Sequence, residues 1–109
     1  MTRGDIWTAA AGRGYAGKPR PVLILQDDRF NLTESVTVCP FTTNLTEAPL
    51  FRLPVEPSNG NGLRVPCCLM VDKIVTVPRA KIGRRAGRLD DEDMVRVNRA
   101  VLLFLGLAG

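Results

Sequence analysis

The residue types available for catalysis are restricted, because this sequence contains no histidine. That absence excludes a histidine general base, a Ser-His-Asp or Cys-His nucleophile pair, and any metal site built on imidazole ligands. The three cysteines are an odd number, and Cys67 and Cys68 are adjacent in an apolar run, which favours buried thiols over a disulfide framework, a redox site or a metal site. Arginine, lysine, carboxylate and hydroxyl groups therefore have to carry any reaction, and we expect no cofactor.

A basic segment at positions 79–88 holds five Lys or Arg residues within ten and no acid. Four acidic residues, Asp90 to Asp93, follow it at once, and the whole chain carries a net charge of +4. Two interpretations stand at this point. The segment is either a solvated loop beside an acidic helix start or a surface that faces phosphate groups.

The elements that must position these groups are mostly short strands, because ten Gly and eight Pro in 109 residues predict many turns. The length predicts one domain over residues 1–109. The patterns predict strands at 5–9, 20–26, 36–39 (ending at Pro40) and 50–55 (near a sheet edge), one or two more within 67–77, and a Gly-rich loop at 11–18.

One helix is predicted near the C-terminal end. Asp90 is a suitable N-cap, and Met94, Val97, Val101 and Leu105 fall on one face at helical spacing. The helix end is apolar all round, so one side should cover a small antiparallel barrel and the other a second subunit. The longest apolar run, 100–105, is too short for a membrane span, and the polar start lacks a secretory pattern, so we expect a cytoplasmic protein.

Five short motifs then occur in a fixed order along the chain. They are Arg3-Gly-Asp-Ile-Trp7, Gly17-x-x-Arg20-Pro-Val-Leu-Ile-Leu25, Val38-x-Pro-x-Thr42-Thr43, Val71-Asp72-x-Ile74-x-Thr76-Val77 and Gly87-x-Leu89-Asp90-x-x-x-Met94. In this arrangement the chain resembles the MazF/PemK family of toxins from bacterial type II toxin–antitoxin pairs. The resemblance implies an SH3-like, CcdB/MazF-like antiparallel barrel that forms homodimers. It also implies sequence-specific, metal-independent cleavage of single-stranded RNA, usually mRNA, and inhibition by a small acidic antitoxin.

The resemblance also implies a mechanism, in which the RNA 2′-hydroxyl attacks and leaves a 2′,3′-cyclic phosphate and a 5′-hydroxyl. It assigns catalysis to Arg20 and Thr42. A guanidinium can bind two phosphoryl oxygens as charge develops, and a threonine hydroxyl can donate to a third. Asp72 matches a shared aspartate that either acts on the 2′-hydroxyl proton, orients Arg20 or closes a turn. Contacts with the RNA are predicted for Asp72 itself and for Arg13, Tyr15, Lys18, Arg79 and Lys81.

Two features depart from the family pattern. Tyr15 stands where some members carry a glutamate, and Met70 stands where some plasmid-borne members carry an arginine. The general base is therefore left open. The alternatives are a CcdB-like toxin that binds gyrase without catalysis and a barrel that binds RNA but has lost activity. The end of the chain, Leu107-Ala-Gly109, lacks the Trp-Gly-Ile that the gyrase-binding toxins use.

Overall fold

The protein, seen in a computed structural model that describes residues 1–10 and 18–108, is an antiparallel sheet with one C-terminal helix. The strands and the α-helix are β1 (Asp5–Ala10), β2 (Pro19–Ile24), β3 (Ser35–Thr42), β4 (Arg52–Val55), β5 (Cys67–Met70), β6 (Val75–Pro78), β7 (Ile82–Arg88) and α1 (Asp91–Phe104). The strands pair in the order β4-β5-β3-β2-β1-β7, and β6 pairs with β3 outside this path. The mainly β architecture predicted from the sequence is therefore confirmed.

Strand β3 continues through Pro40, so the prediction that it ends there was wrong. On one side Pro40 lies opposite Val22 of β2. On the other side β6 pairs only as far as Val38, and β5 pairs only from Phe41 onwards. Pro40 thus stands where β3 changes partners, and its missing N–H leaves no ladder bond broken on that side.

The two faces of the sheet carry two hydrophobic clusters, because successive side chains of a strand point to opposite sides. One cluster includes Leu23 and Cys39 and is covered by α1. The other includes Val22, Ile24 and Val38 on the opposite face. The sheet thus leaves one face for the helix and one for a surface site.

Helix α1 begins as predicted, since the Asp90 side chain accepts a hydrogen bond from the Asp93 N–H at 2.8 Å. Its buried residues are Met94, Val97 and Ala100. Val101 is half-buried and packs against the core, whereas Leu105, which follows the last helical residue Phe104, is 56% exposed. No helix in the described part of the chain has the length and apolar character to cross a membrane.

The basic segment is not a loop, since most of it forms strand β7 along β1. Arg85 and Arg88 both lie 3.4 Å from the buried carboxylate of Asp5. Burial raises the pKa of Asp5, but hydrogen bonds from the Thr2 N–H, Arg85 and Trp7 outweigh it and leave the pKa below its ordinary value. These two arginines therefore hold β7 to β1 through an ionised carboxylate.

The three cysteines are buried and unpaired, as predicted. Burial raises the pKa of Cys39 to about 12, and burial also raises the pKa of Cys67. Cys68 is 2% exposed. All three thiols therefore serve as small packing groups.

Gly62 offers a test of how closely the 57–62 turn packs on β7. It has φ +70°, and an added Cβ would overlap the backbone of Ala86. We expect Gly62→Ala to lower the free energy of unfolding by about 2–4 kcal/mol, from the strained φ and the overlap together. Chemical denaturation measures the change.

Gly106 is the matched control, because its φ is +74° and nothing lies within 4 Å of the added Cβ. Gly106→Ala should lower the free energy of unfolding by roughly 1 kcal/mol, from backbone strain alone. Equal decreases in the free energy of unfolding for the two variants would show that the close contact with β7 adds nothing to the effect of Gly62→Ala.

Candidate active site

A cleft of about 360 Å³ opens on the sheet face opposite α1. Its floor is apolar and comes from four strands, with Ala9 of β1, Val22 of β2, Val38 of β3 and Val75 and Val77 of β6. Of the residues that the structure describes, three with polar side chains suited to chemistry line it: Arg20, Thr42 and Lys73. The cleft thus combines a nonpolar base with two cations and a hydroxyl.

The strand register brings the two predicted catalytic residues together. Val22 pairs with Pro40 and Ile24 with Val38 in the antiparallel β2–β3 ladder. Continuing that register by two residues places Arg20 opposite Thr42, with both side chains on the cleft face. Arg20 itself pairs with Ala9 of β1, so this neighbouring strand fixes its position in the sheet.

Thr42 stands at the end of β3, where its hydroxyl is oriented by the following turn. Its Oγ1 accepts a hydrogen bond from the Asn44 N–H at 3.1 Å. A hydroxyl accepts through its lone pairs and still has one hydrogen to donate. The Thr42 hydroxyl can therefore donate to an anionic oxygen bound in the cleft.

Lys73 is the cleft residue that our sequence reasoning did not place in the site. It ends a single turn of 3-10 helix, Val71–Lys73. Val71 is fully buried, and its N–H donates to the Phe51 carbonyl at 2.9 Å, which anchors the turn. The motif around Asp72 marked this segment, but only the lining of the cleft shows that Lys73 shares a cavity with Thr42.

Asp72 makes a two-pronged ion pair with Arg52 of β4, at 2.8 and 3.0 Å. Both side chains are mostly buried, with 23% and 15% exposed. The hydrogen bond from Arg52 holds the pKa of Asp72 below its ordinary value. Asp72 does not line the cleft. Its ion pair with Arg52 fixes the turn that carries Lys73, and its lowered pKa makes the carboxylate poorly suited to take a proton.

The other predicted RNA contacts lie away from the cleft or cannot be placed. Lys18 and Lys81 are exposed and do not line it. The Arg79 guanidinium donates to the carbonyls of Asn31 and Thr33, which gives it a structural role. Arg13 and Tyr15 lie outside the described residues.

The arrangement suits a reaction that builds negative charge on an oxyanion. Fixed cationic donors over an apolar floor stabilise developing charge with little reorganisation. Across residues 1–10 and 18–108 no group of three or more Cys, Asp or Glu side chains could hold a metal ion. Among the described residues, Arg20, Thr42 and Lys73 are the cationic and hydroxyl side chains that line this cleft.

Comparison with known proteins identifies relatives along nearly the whole chain. Residues 2–105 match the family described as PemK-like, MazF-like toxin of type II toxin-antitoxin system. A probable endoribonuclease MazF from Mycolicibacterium smegmatis is 60% identical over the full length of both chains. The solved Mycobacterium tuberculosis toxin MazF-mt6 is 28% identical, with a TM-score of 0.82 over 96% of this chain and 99% of that one. A mycobacterial endoribonuclease solved with its cognate antitoxin has the same fold, at 24% identity and a TM-score of 0.82 over 100% and 98% of the two chains.

The Arg52–Asp72 pair predicts a pH-dependent loss of stability in Asp72→Asn. The folded-state pKa of Asp72 is lowered, so the pair stabilises the fold above the unfolded value of about 4. That contribution disappears as the pH falls through the lowered folded-state pKa. We expect Asp72→Asn to lose roughly 1–3 kcal/mol at pH 7 and to approach the wild type in acid.

Denaturation at a series of pH values measures this difference. The exposed Glu34 provides a control, because Glu34→Gln should follow the wild type at every pH. A constant difference between Asp72→Asn and the wild type across the acid range would contradict the role of the ion pair.

Proposed function

This chain belongs to the PemK-like, MazF-like toxins of type II toxin–antitoxin systems, and we propose that it cleaves single-stranded RNA in the cleft between β2, β3 and β6. It is an endoribonuclease toxin. The observation that supports the proposal for the site is the lining of the cleft, which includes both Arg20 and Thr42.

The proposed reaction uses a nucleophile that belongs to the substrate. The 2′-oxygen attacks the neighbouring phosphorus, the bond to the 5′-oxygen breaks, and the products carry a 2′,3′-cyclic phosphate and a 5′-hydroxyl. The 2′-hydroxyl loses its proton and the leaving 5′-oxygen gains one. Because the nucleophile is tethered beside the phosphorus, much of the entropic barrier is already removed.

The cleft residues then have distinct roles in this reaction. The Arg20 guanidinium binds two phosphoryl oxygens as their charge rises, while the Lys73 ammonium adds a second positive charge beside them. The Thr42 hydroxyl donates to the same phosphate, its orientation set by the Asn44 N–H. We assign Asp72 to the support of this site rather than to proton transfer, because Arg52 occupies its carboxylate.

We also propose that the protein works as a cytoplasmic homodimer and that an antitoxin inhibits it. The end of α1 exposes a run of large apolar side chains, each 42–71% exposed: Leu102, Leu103, Phe104, Leu105 and Leu107. A contiguous exposed apolar surface of this kind is typical of an interface. The antitoxin complex of the structurally similar mycobacterial endoribonuclease supports an antitoxin as the second partner.

The gyrase-binding alternative has no specific support, since the matched family model covers residues 2–105 and is that of PemK-like and MazF-like toxins. The remaining alternative, an RNA-binding barrel without activity, makes a different prediction for RNA integrity. Incubation of purified protein with single-stranded RNA separates the two, because only the enzyme generates new 5′-hydroxyl ends.

We expect Arg20→Ala to lower the rate of RNA cleavage by about 10²–10³-fold or more, because it removes a preorganised charged donor. Arg20→Lys should restore part of the rate, since an ammonium keeps the charge but loses the planar fork. Thr42→Val keeps the side-chain shape and removes the hydroxyl, so it too should slow cleavage strongly. Single-turnover cleavage of a labelled RNA measures each rate.

Thr43 is the matched control for Thr42. It is exposed, and the alternation of a strand would turn it to the other face, so Thr43→Val should cleave at nearly the wild-type rate. If Thr43→Val is inactive while Thr42→Val is active, the assignment is displaced by one residue. Wild-type cleavage by Arg20→Ala would remove the arginine from the mechanism.

The nucleophile is tested by changing the RNA instead of the protein. A substrate with one 2′-deoxyribose before the scissile phosphate should bind with nearly unchanged affinity and remain intact. The same RNA with all ribose present should be cut in EDTA, because the proposed groups include no metal ion. Normal cleavage of the deoxy substrate would identify water as the nucleophile and contradict the mechanism.

A further inference from the structure

A second cavity, of about 330 Å³, lies beside the cleft and has no role in the reaction described above. We call it the side cavity. Its lining is mainly apolar and includes Leu45, Pro49, Pro54, Val55 and Pro66. Its volume is at the small end of the range of about 300–1,000 Å³ that is common for ligand pockets.

The side cavity and the cleft are related by two cross-strand pairs, each with one residue in either lining. Thr42 lines the cleft, and its partner on β5, Cys68, lines the side cavity. Met70 lines the cleft, and its partner on β4, Arg52, lines the side cavity. Residues directly opposite in an antiparallel pair project to the same face. The two cavities are therefore neighbouring parts of one surface.

The distance between them is set by strand spacing. From Thr42, Cys68 is one strand away and its partner Pro54 is two strands away. At about 5 Å per strand this places the side cavity roughly 5–10 Å from the Thr42 hydroxyl. A nucleotide attached to a phosphate in the cleft can reach it.

The charges of the two cavities differ in sign. The cleft carries Arg20 and Lys73, whereas the side cavity carries Glu47 and Glu56. Among the described residues that line the side cavity, the one cation is Arg52, and Asp72 accepts hydrogen bonds from two of its guanidinium nitrogens. A phosphate is therefore attracted to the cleft and repelled by the side cavity. An uncharged ring with hydrogen-bond donors matches the apolar walls and the carboxylates.

We propose that the side cavity binds one unpaired nucleobase of the RNA, next to the phosphate held by Arg20 and Thr42. Apolar walls accept the flat ring, and Glu47 and Glu56 accept hydrogen bonds from an exocyclic amino group. Adenine, cytosine and guanine carry such a group and uracil does not. The site thus selects an amino-bearing base at one position beside the cut. This inference rests on the proposed RNA cleavage in the cleft.

The test compares cleavage preferences of the wild type, Glu47→Gln, Glu56→Gln and the double variant on an RNA library with randomised positions around one cut. An amide presents a donor as well as an acceptor, so it no longer favours the amino group alone. We expect the preference of the double variant for A, C or G over U at one position to be about tenfold lower than that of the wild type. All other positions should keep their preferences.

Glu34→Gln serves as the control, because Glu34 is an exposed carboxylate that lines neither cavity. Wild-type preferences in the double variant at every position would overturn the proposal. So would unchanged preferences combined with weaker binding of a cognate antitoxin, since the cavity would then be a protein-docking site.

A binding measurement keeps this inference separate from the proposed activity. Two RNAs with 2′-deoxyribose before the cut, differing only in that one base, remain intact in the assay. The wild type should bind the amino-bearing one about tenfold more tightly, and the double variant should bind the two equally. Absence of cleavage by the wild type would contradict the proposed function, while equal binding of the two RNAs by the wild type would contradict the base site.

Discussion

The change of hydrogen-bonding partners along β3 is the constraint on which the site depends. Residues before Pro40 pair with β6 and residues after it pair with β5, while β2 runs along the other edge. Pro40 fits this junction because it has no N–H to leave unpaired. As a result β3 supplies both Val38 in the floor of the cleft and the Thr42 hydroxyl. Thr42 pairs with Cys68 of β5, which lines the side cavity.

Several arginines hold elements of the fold together through buried or half-buried carboxylates. Arg85 and Arg88 hold β7 to β1 through Asp5, and Arg52 holds the 71–73 turn through Asp72. Both carboxylates have lowered pKa values, so they remain ionised near neutral pH. The net charge of +4 therefore says little about where an anion binds. The position of a cation matters more, and in the described part of the chain Arg20 and Lys73 are the cations that line the cleft.

Sequence patterns predicted the parts of the fold that local chemistry determines. The N-cap at Asp90 and the apolar runs of β2 and β5 are readable without tertiary contacts, and so were found. Strand β7 was missed because its residues are mostly polar or glycine, and it becomes a strand only by pairing with β1. The end of β3 was misplaced because proline usually ends a strand, and the exception needs knowledge of both neighbours.

The candidate site divides in the same way. Motif resemblance marked Arg20 and Thr42, and the register then explains their proximity. Lys73 follows Asp72, which the motif marked, but the position of the Lys73 side chain depends on a short turn that Phe51 and Arg52 anchor. The ion-pair partner of Asp72 could not be predicted from the sequence either, because Arg52 lies 20 residues away and no local pattern links the two.

The burial of every native thiol makes the molecule convenient for spectroscopy. Cys39 and Cys67 have raised pKa values, and Cys68 is 2% exposed, so the native thiols react little with thiol-reactive dyes. A single cysteine introduced at an exposed position such as Leu32, which is 95% exposed, would take up the label selectively. Fluorophores on a fully native core could then follow RNA and antitoxin exchange in real time.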